Sequence, residues 1–223
     1  MIYISPSLLS SDFSCLGQEL KSLEENGADW VHIDVMDGQF VNNITLGAPI
    51  IKSMRAHTHL PFDVHLMIQD PLRYLDDFIA AGADILTFHL EASEDNAGIM
   101  IEKIAAAGVK PSVSVKPSTP VETVFPLLGR LSMVLIMTVE PGFGGQPFLE
   151  SALPKISALR QECVRRGLPL DIQVDGGINS EKIAVAAAAG ANAFAVGSAV
   201  FGAKDRKATI AALRETAEEA YRA

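Results

Sequence analysis

Short β-branched runs alternate with longer amphipathic stretches eight times along this chain of 223 residues, the pattern of successive strand-helix units in a parallel sheet. Strands are expected to start near Ile2, Trp30, Phe62, Ile85, Lys110, Met133, Asp171 and Ala193. Helices are expected around Leu16 to Asn26, Ala48 to His57, Pro71 to Ala81, Ala97 to Ala107, Val121 to Leu128, Leu149 to Arg166, Ser180 to Ala189 and Arg206 to Tyr221. Eight of each predicts closure into a (β/α)8 TIM barrel of the α/β class, and the length fits a single such domain over residues 1–223. The punctuation agrees. Gly27, Gly82, Gly108 and Gly190 each stand just before an expected strand, where a helix must stop at a residue able to take positive φ.

Strand parity sorts the polar residues, because alternate side chains of a strand face opposite sides. In the second strand His32, Asp34 and Met36 share one face and Val31, Ile33 and Val35 the other. In the third, Asp63, His65 and Met67 oppose Val64 and Leu66; in the fourth, Thr87 and His89 oppose Leu86 and Phe88; in the seventh, Gln173 and Asp175 oppose Ile172 and Val174. The aliphatic face is expected against the helices. The polar face then lines the barrel, with its last members at the C-terminal strand ends, where such barrels keep their active sites.

Four of these inward residues, His32, Asp34, His65 and Asp175, combine two imidazoles and two carboxylates on three strands. Mixed nitrogen and oxygen donors suit one divalent ion such as zinc, iron, manganese or cobalt better than calcium. A single His or Asp at a strand end often only holds a neighbouring loop, but four on one face are hard to explain that way. His57 and His59, at a helix end and in the following loop, are expected in solvent, and His89 is expected to hydrogen-bond at the rim rather than to bind metal.

Glycines cluster after the last three strands: Gly142, Gly144 and Gly145, then Gly176 and Gly177, then Gly197 followed by Ser198. Glycine lets backbone N–H groups approach an anion, and barrels commonly bind phosphate here. Such a local site is needed, because 18 basic against 27 acidic side chains give a net charge of -9. That balance disfavours nucleic acid and anionic membranes as partners. Met36, Met67 and Met137 fall at strand ends with inward parity, either as core filler or as a water-poor wall of the site. Ser7, at the end of the first strand, can cap a turn or donate to a substrate hydroxyl. Cys15 and Cys163 lie far apart without metal spacing. Free thiols and the lack of a leader or a long apolar segment make a cytoplasmic location the expectation.

The motifs resemble those of the ribulose-phosphate 3-epimerase family from end to end. They are S-P-S-L-L-S-S-D-F (Ser5 to Phe13), H-I-D-V-M-D-G-Q-F-V (His32 to Val41), D-V-H-L-M (Asp63 to Met67), M-T-V-E-P-G-F-G-G-Q-P-F (Met137 to Phe148), D-G-G-I (Asp175 to Ile178) and V-G-S-A (Val196 to Ala199). The resemblance implies that His32, Asp34, His65 and Asp175 bind the metal and that Asp34 and Asp175 double as acid and base. It implies that Ser7, His65, Met36, Met67 and Met137 meet the sugar, and that the glycine-rich turns with Ser198 hold the phosphate. It further implies a homo-oligomer and a place in the pentose phosphate route or carbon fixation. Gln39 and Asn42 depart from the His and Pro common in the family, and both lie in the loop after the second strand.

Inverting a carbon next to a carbonyl requires removing its proton and returning one from the other face, hence two acid-base groups. Carboxylates on strands two and seven are expected to approach from opposite sides of the ring. The same motifs also admit a six-carbon ketose phosphate such as D-allulose 6-phosphate, because they see only the reacting end. A sensor that binds sugar phosphate without turnover is the rival from another class, and intact acid-base residues argue against it. An imine-forming aldolase needs an inward lysine, for which Lys116 is the one candidate.

Overall fold

The computed structural model describes residues 1–93 and 95–222. Eight parallel strands form one sheet: β1 (Tyr3–Pro6), β2 (Val31–Met36), β3 (Phe62–Met67), β4 (Ile85–His89), β5 (Lys110–Val115), β6 (Met133–Met137), β7 (Asp171–Asp175) and β8 (Ala193–Val196). Around them lie α1 (Leu16–Glu25), α2 (Ala48–Met54), α3 (Pro71–Ala80), α4 (Ala97–Ala106), α5 (Leu153–Arg166), α6 (Ser180–Ala188), α7 (Ser198–Phe201) and α8 (Arg206–Arg222). This is a (β/α)8 TIM barrel. Pro49, Pro71 and Pro154 open α2, α3 and α5 in their first turns, where the missing N–H costs no helical hydrogen bond.

One crossover differs from expectation. Residues Val121–Arg130 form a 3-10 helix, with Pro126 inside it. Proline supplies no N–H and its ring crowds the carbonyl four residues back, so an α-helical ladder through this position is broken. Val121, Val124 and Leu128 remain buried, so the segment still covers the barrel with apolar side chains. The short α7, directly after β8, is an addition to the eight expected helices.

The two faces of the sheet divide as parity predicts. Val31, Ile33 and Val35 on β2, with Val64 and Leu66 on β3, join one continuous apolar layer with Leu20, Ile51 and Leu75 of the surrounding helices. Inside the ring, Tyr3, Trp30, Ile85, Met133 and Ala193 close the N-terminal end, Tyr3 stacking on Trp30 with ring centroids 4.3 Å apart. An apolar plug at that end leaves the polar inward residues above it facing the other opening.

The seam between β1 and β2 closes the ring. Ser7 bridges His32 in parallel fashion. Below it Asp29 donates its backbone N–H to the Ile4 carbonyl at 3.0 Å, and its carboxylate accepts the Ile4 N–H at 2.7 Å. Arg214 of α8 reaches the same carboxylate oxygen at 2.9 Å. Ile4 is fully buried, so removal of that acceptor strands an amide away from water. Asp29→Ala is expected to lower unfolding free energy by about 1–3 kcal/mol. A urea midpoint unchanged from that of the wild type would contradict this account of the seam.

Candidate active site

Strand register brings the polar inward residues together. Across β2 and β3, His32 stands opposite Asp63, Asp34 opposite His65 and Met36 opposite Met67. Across β6 and β7, Met137 stands opposite Asp175. One donor atom from each of His32, Asp34, His65 and Asp175 falls within a cluster whose members all lie within 4.8 Å of one another. His32 Nε2 is 3.2 Å from Asp34 Oδ1 and 3.9 Å from Asp175 Oδ2, and His65 Nδ1 is 3.1 Å and 3.8 Å from the same two oxygens.

This donor set fits a divalent cation. His32 Nε2 is buried without a hydrogen-bond partner among the described residues. An orphaned imidazole nitrogen facing two carboxylate oxygens and a second imidazole is the arrangement that a metal of the zinc, iron, manganese or cobalt type satisfies. The other ring nitrogen of His32 is held: Nδ1 donates to Asp63 Oδ2 at 2.7 Å. Asp63 Oδ2 also accepts from the Gln173 side-chain amide and from Ser5 Oγ at 3.3 Å. A carboxylate behind a ligating histidine fixes its tautomer and orientation. Parity placed Asp63 and Gln173 inside the barrel, but their service to His32 follows only from the register. Had the polar residues one layer below the ligands been paired across strands, Asp63 opposite His32 was the available signal.

Exposure separates the two kinds of ligand. The His32 and His65 side chains are fully buried, Asp34 is 3% exposed and Asp175 17% exposed. The carboxylates line a cavity of about 600 Å³ at the C-terminal mouth, while the imidazoles lie beneath its floor. The structure also brings Ser7, Met36, Met67, Met137, Gly142, Gly144, Gly145, Gly176, Gly177, Gly197 and Ser198 to the wall of this cavity. His65 meets it only through its carboxylate neighbours. Ser7 both caps and reaches the site, accepting from Leu9 N at 3.3 Å and donating to Asp34 Oδ2 at 2.7 Å.

β7 and β2 are separated by β8 and β1 on the shorter way round the ring. The two carboxylates thus converge from strands three apart in the ring of eight, one step short of diametrically opposed. Their proton affinities differ. Burial opposes ionisation of Asp34, but His32 and His65 outweigh it and hold the carboxyl far below its ordinary range. At Asp175 burial, reinforced by the Asp34 charge, pushes the carboxyl up to about 6. Burial works against the charged form of His32, yet Asp34 and Asp63 outweigh it and hold the imidazole well above its usual range. Two carboxyl groups with affinities driven apart suit opposite roles in proton transfer.

The glycine-rich side of the cavity is built from close approach. Gly177 has φ 67° and a Cβ there meets the backbone of Phe148; Gly176 has φ 117° and a Cβ there meets the Val139 side chain. Only glycine fits both, and the β6 and β7 loops interlock there. Thr138 Oγ donates to the Asp175 and Gly176 carbonyls at 2.8 and 2.6 Å, fixing the end of β7 that carries Asp175. The loop after β2 is tied across the mouth by Asn43 Nδ2, which donates to the Gly142 carbonyl at 2.8 Å. Gln39 and Asn42 in that loop are exposed, as are His57 and His59. Lys116 is engaged with Phe40, its Nζ lying 3.9 Å from the ring centroid.

Convergent histidines and carboxylates at the C-terminal mouth, beside a glycine-lined cavity, stand where barrel enzymes of this fold keep their active sites. Residues 3–201 match the model of the ribulose-phosphate 3 epimerase family. The chain is 48% identical over 218 residues to a ribulose-phosphate 3-epimerase, cytoplasmic isoform, of Oryza sativa subsp. japonica, covering 96% of this chain and 94% of that one. It is 48% identical over 215 residues to a ribulose-phosphate 3-epimerase of Bacillus subtilis, covering 96% and 99%. Among solved structures, a 3-hexulose-6-phosphate synthase shares the fold with a TM-score of 0.69 and 20% identity, covering 97% of this chain and 99% of that chain. A mutant tryptophan synthase α-subunit from Pyrococcus furiosus does so with a TM-score of 0.66 and 21% identity over the full length of both. The chain belongs to the ribulose-phosphate 3-epimerase family and is an isomerase.

Protons and a cation compete for the same donors. Asp175, pushed up to about 6, and His32, held well above its usual range, both carry protons that an incoming ion must displace, so the affinity of metal-free protein for zinc is expected to fall as pH drops, beginning above 6 and steepening below it. The fall is about tenfold per pH unit for each proton released. Chelator competition at a series of pH values checks this, and an affinity independent of pH across the range contradicts it.

Proposed function

We propose that the chain catalyses metal-dependent epimerisation at carbon 3 of D-ribulose 5-phosphate to give D-xylulose 5-phosphate, by two-base proton transfer through an enediolate. The observation that carries the reading is the pair Asp34 and Asp175: both line the cavity, both flank the same two imidazoles, and their proton affinities are driven apart. His32 Nε2, Asp34 Oδ1, His65 Nδ1 and Asp175 Oδ2 would hold the cation. When bound, the ion supplies Lewis-acid polarisation of the substrate carbonyl and offsets the negative charge of the enediolate.

The rest follows from the side chains. The sugar phosphate lies across the mouth with its phosphate toward Gly144, Gly145, Gly177, Gly197 and Ser198, whose backbones can approach an anion closely. One carboxylate takes the carbon-3 proton and the other returns a proton to the opposite face. Ser7, held against Asp34, orients that carboxylate. Met36, Met67 and Met137 wall the reacting carbons with soft apolar surface, limiting the water that can compete for the intermediate. The relatives named as ribulose-phosphate 3-epimerases support the five-carbon ketose phosphate as substrate. A cytoplasmic location accompanies this reading, supported by the cytoplasmic isoform among the relatives and by Cys15 and Cys163 as free thiols, and a homo-oligomer is proposed on the family resemblance alone. No helix among the described residues is long and apolar enough to cross a membrane.

Asp175→Asn keeps the shape and one oxygen donor but removes a proton carrier. Turnover of ribulose 5-phosphate is expected to fall by about 10²–10⁴-fold or more, while binding of ribulose 5-phosphate, measured by calorimetry, survives. Near-normal turnover rejects the assignment. Comparing wild-type turnover on D-allulose 6-phosphate in the same assay tests the five-carbon preference, and faster turnover of the hexulose phosphate overturns it.

A further inference from the structure

A second buried chain of hydrogen bonds runs away from the proposed metal site on the side of β4. His65 Nε2 lies 3.0 Å from His89 Nε2, and His89 Nδ1 lies 3.1 Å from Glu91 Oε2. The other carboxylate oxygen of Glu91 accepts the Lys116 backbone N–H at 2.7 Å and the Thr119 hydroxyl. His65 and His89 are fully buried, and Phe40 covers His89 with ring centroids 4.8 Å apart.

We infer that Glu91 is a positioning residue for the metal site, favouring through His89 the His65 tautomer that gives Nδ1 to the cation once the ion replaces the proton that Nδ1 shares with Asp34 Oδ1 at 3.1 Å. The inference rests on the reading of His65 Nδ1 as a metal donor and follows from valence. A neutral imidazole that gives Nδ1 to a metal carries its proton on Nε2. That N–H points at His89 Nε2, which must then be an acceptor, so the His89 proton sits on Nδ1. The Nδ1–H donates to Glu91, an acceptor-only group when ionised. The direction of the whole chain is set at its far end, because the Lys116 backbone N–H can only donate. A ligating histidine is commonly oriented by a carboxylate or carbonyl directly behind it; here a second histidine stands between.

Glu91→Gln keeps the shape and reverses the direction. Its amide oxygen must take the position facing the Lys116 N–H, which turns the NH2 group toward His89 Nδ1. His89 then accepts at Nδ1 and donates from Nε2, and His65 is left with its proton on Nδ1, where the cation belongs. Thr119→Val removes one donor to Glu91 without reversing anything.

The test is zinc affinity by chelator competition, paired with nitrogen NMR of ¹⁵N-histidine-labelled, zinc-loaded protein. The wild type is expected to show His65 protonated at Nε2 and His89 protonated at Nδ1. Glu91→Gln is expected to bind zinc about 10–100-fold more weakly, and Thr119→Val to stay within about threefold of the wild type, since the polarity is kept. A wild-type spectrum with the His89 proton on Nε2 overturns the inference whatever the variants do, including a Glu91→Gln protein that fails to fold. So does a folded Glu91→Gln with wild-type zinc affinity, or a Thr119→Val loss equal to that of Glu91→Gln, which marks a packing role. Failure of the wild type to bind zinc or any of the other candidate ions strikes the metal reading itself and removes the basis of this inference.

Discussion

Two imidazoles and two carboxylates share one buried end of this barrel, and the structure tolerates them because opposite charges and directed hydrogen bonds alternate around the cluster. An isolated buried charge is costly, whereas a fully partnered set is not. His32 lies between Asp63 and Asp34, and His65 between Asp34 and His89. The residual imbalance settles on two atoms, the partnerless His32 Nε2 and the Asp175 carboxyl, whose proton affinity is raised. Both face the point where a cation fits.

The fold makes this cluster possible through register more than through any loop. Because β2 and β3 pair residue for residue, the two-residue spacing of His32 and Asp34 is matched by that of Asp63 and His65, and each imidazole meets a carboxylate from the neighbouring strand. A shift of either strand by one residue would send its two members of the cluster to the helix-facing side. The seam at Ser7 and Asp29 locks the ring that holds this register, and Ser7 belongs to both the seam and the site. The apolar plug around Tyr3 and Trp30 closes the opposite end. Access from the C-terminal mouth passes the carboxylates and the methionines, and the imidazoles stay below.

Much of this was legible in the sequence because period-two alternation is a local property. Parity alone put His32, Asp34, His65 and Asp175 on the inward face, and the glycines after the last three strands marked one wall of the cavity at the mouth. The partners of those residues were not legible. That Asp63 holds His32, and that Glu91 reaches back to His89, depends on which residues stand opposite one another and on how a loop folds after a strand, neither of which periodicity encodes. The convergence of β2 and β7 from three strands apart is likewise a matter of barrel geometry. The fifth crossover misled for a different reason: its apolar spacing suits a helix, and Pro126 was the local signal that the helix could not be α.

One cation meeting side chains from β2, β3 and β7 at a single point is the requirement that everything else in the site serves. Crystals of the protein loaded with zinc or manganese, measured at the absorption edge of that metal, locate the ion directly. The predicted result is one strong anomalous peak bounded by His32 Nε2, Asp34, His65 Nδ1 and Asp175. A peak elsewhere, or an ion held by His65 through Nε2 instead, would contradict it.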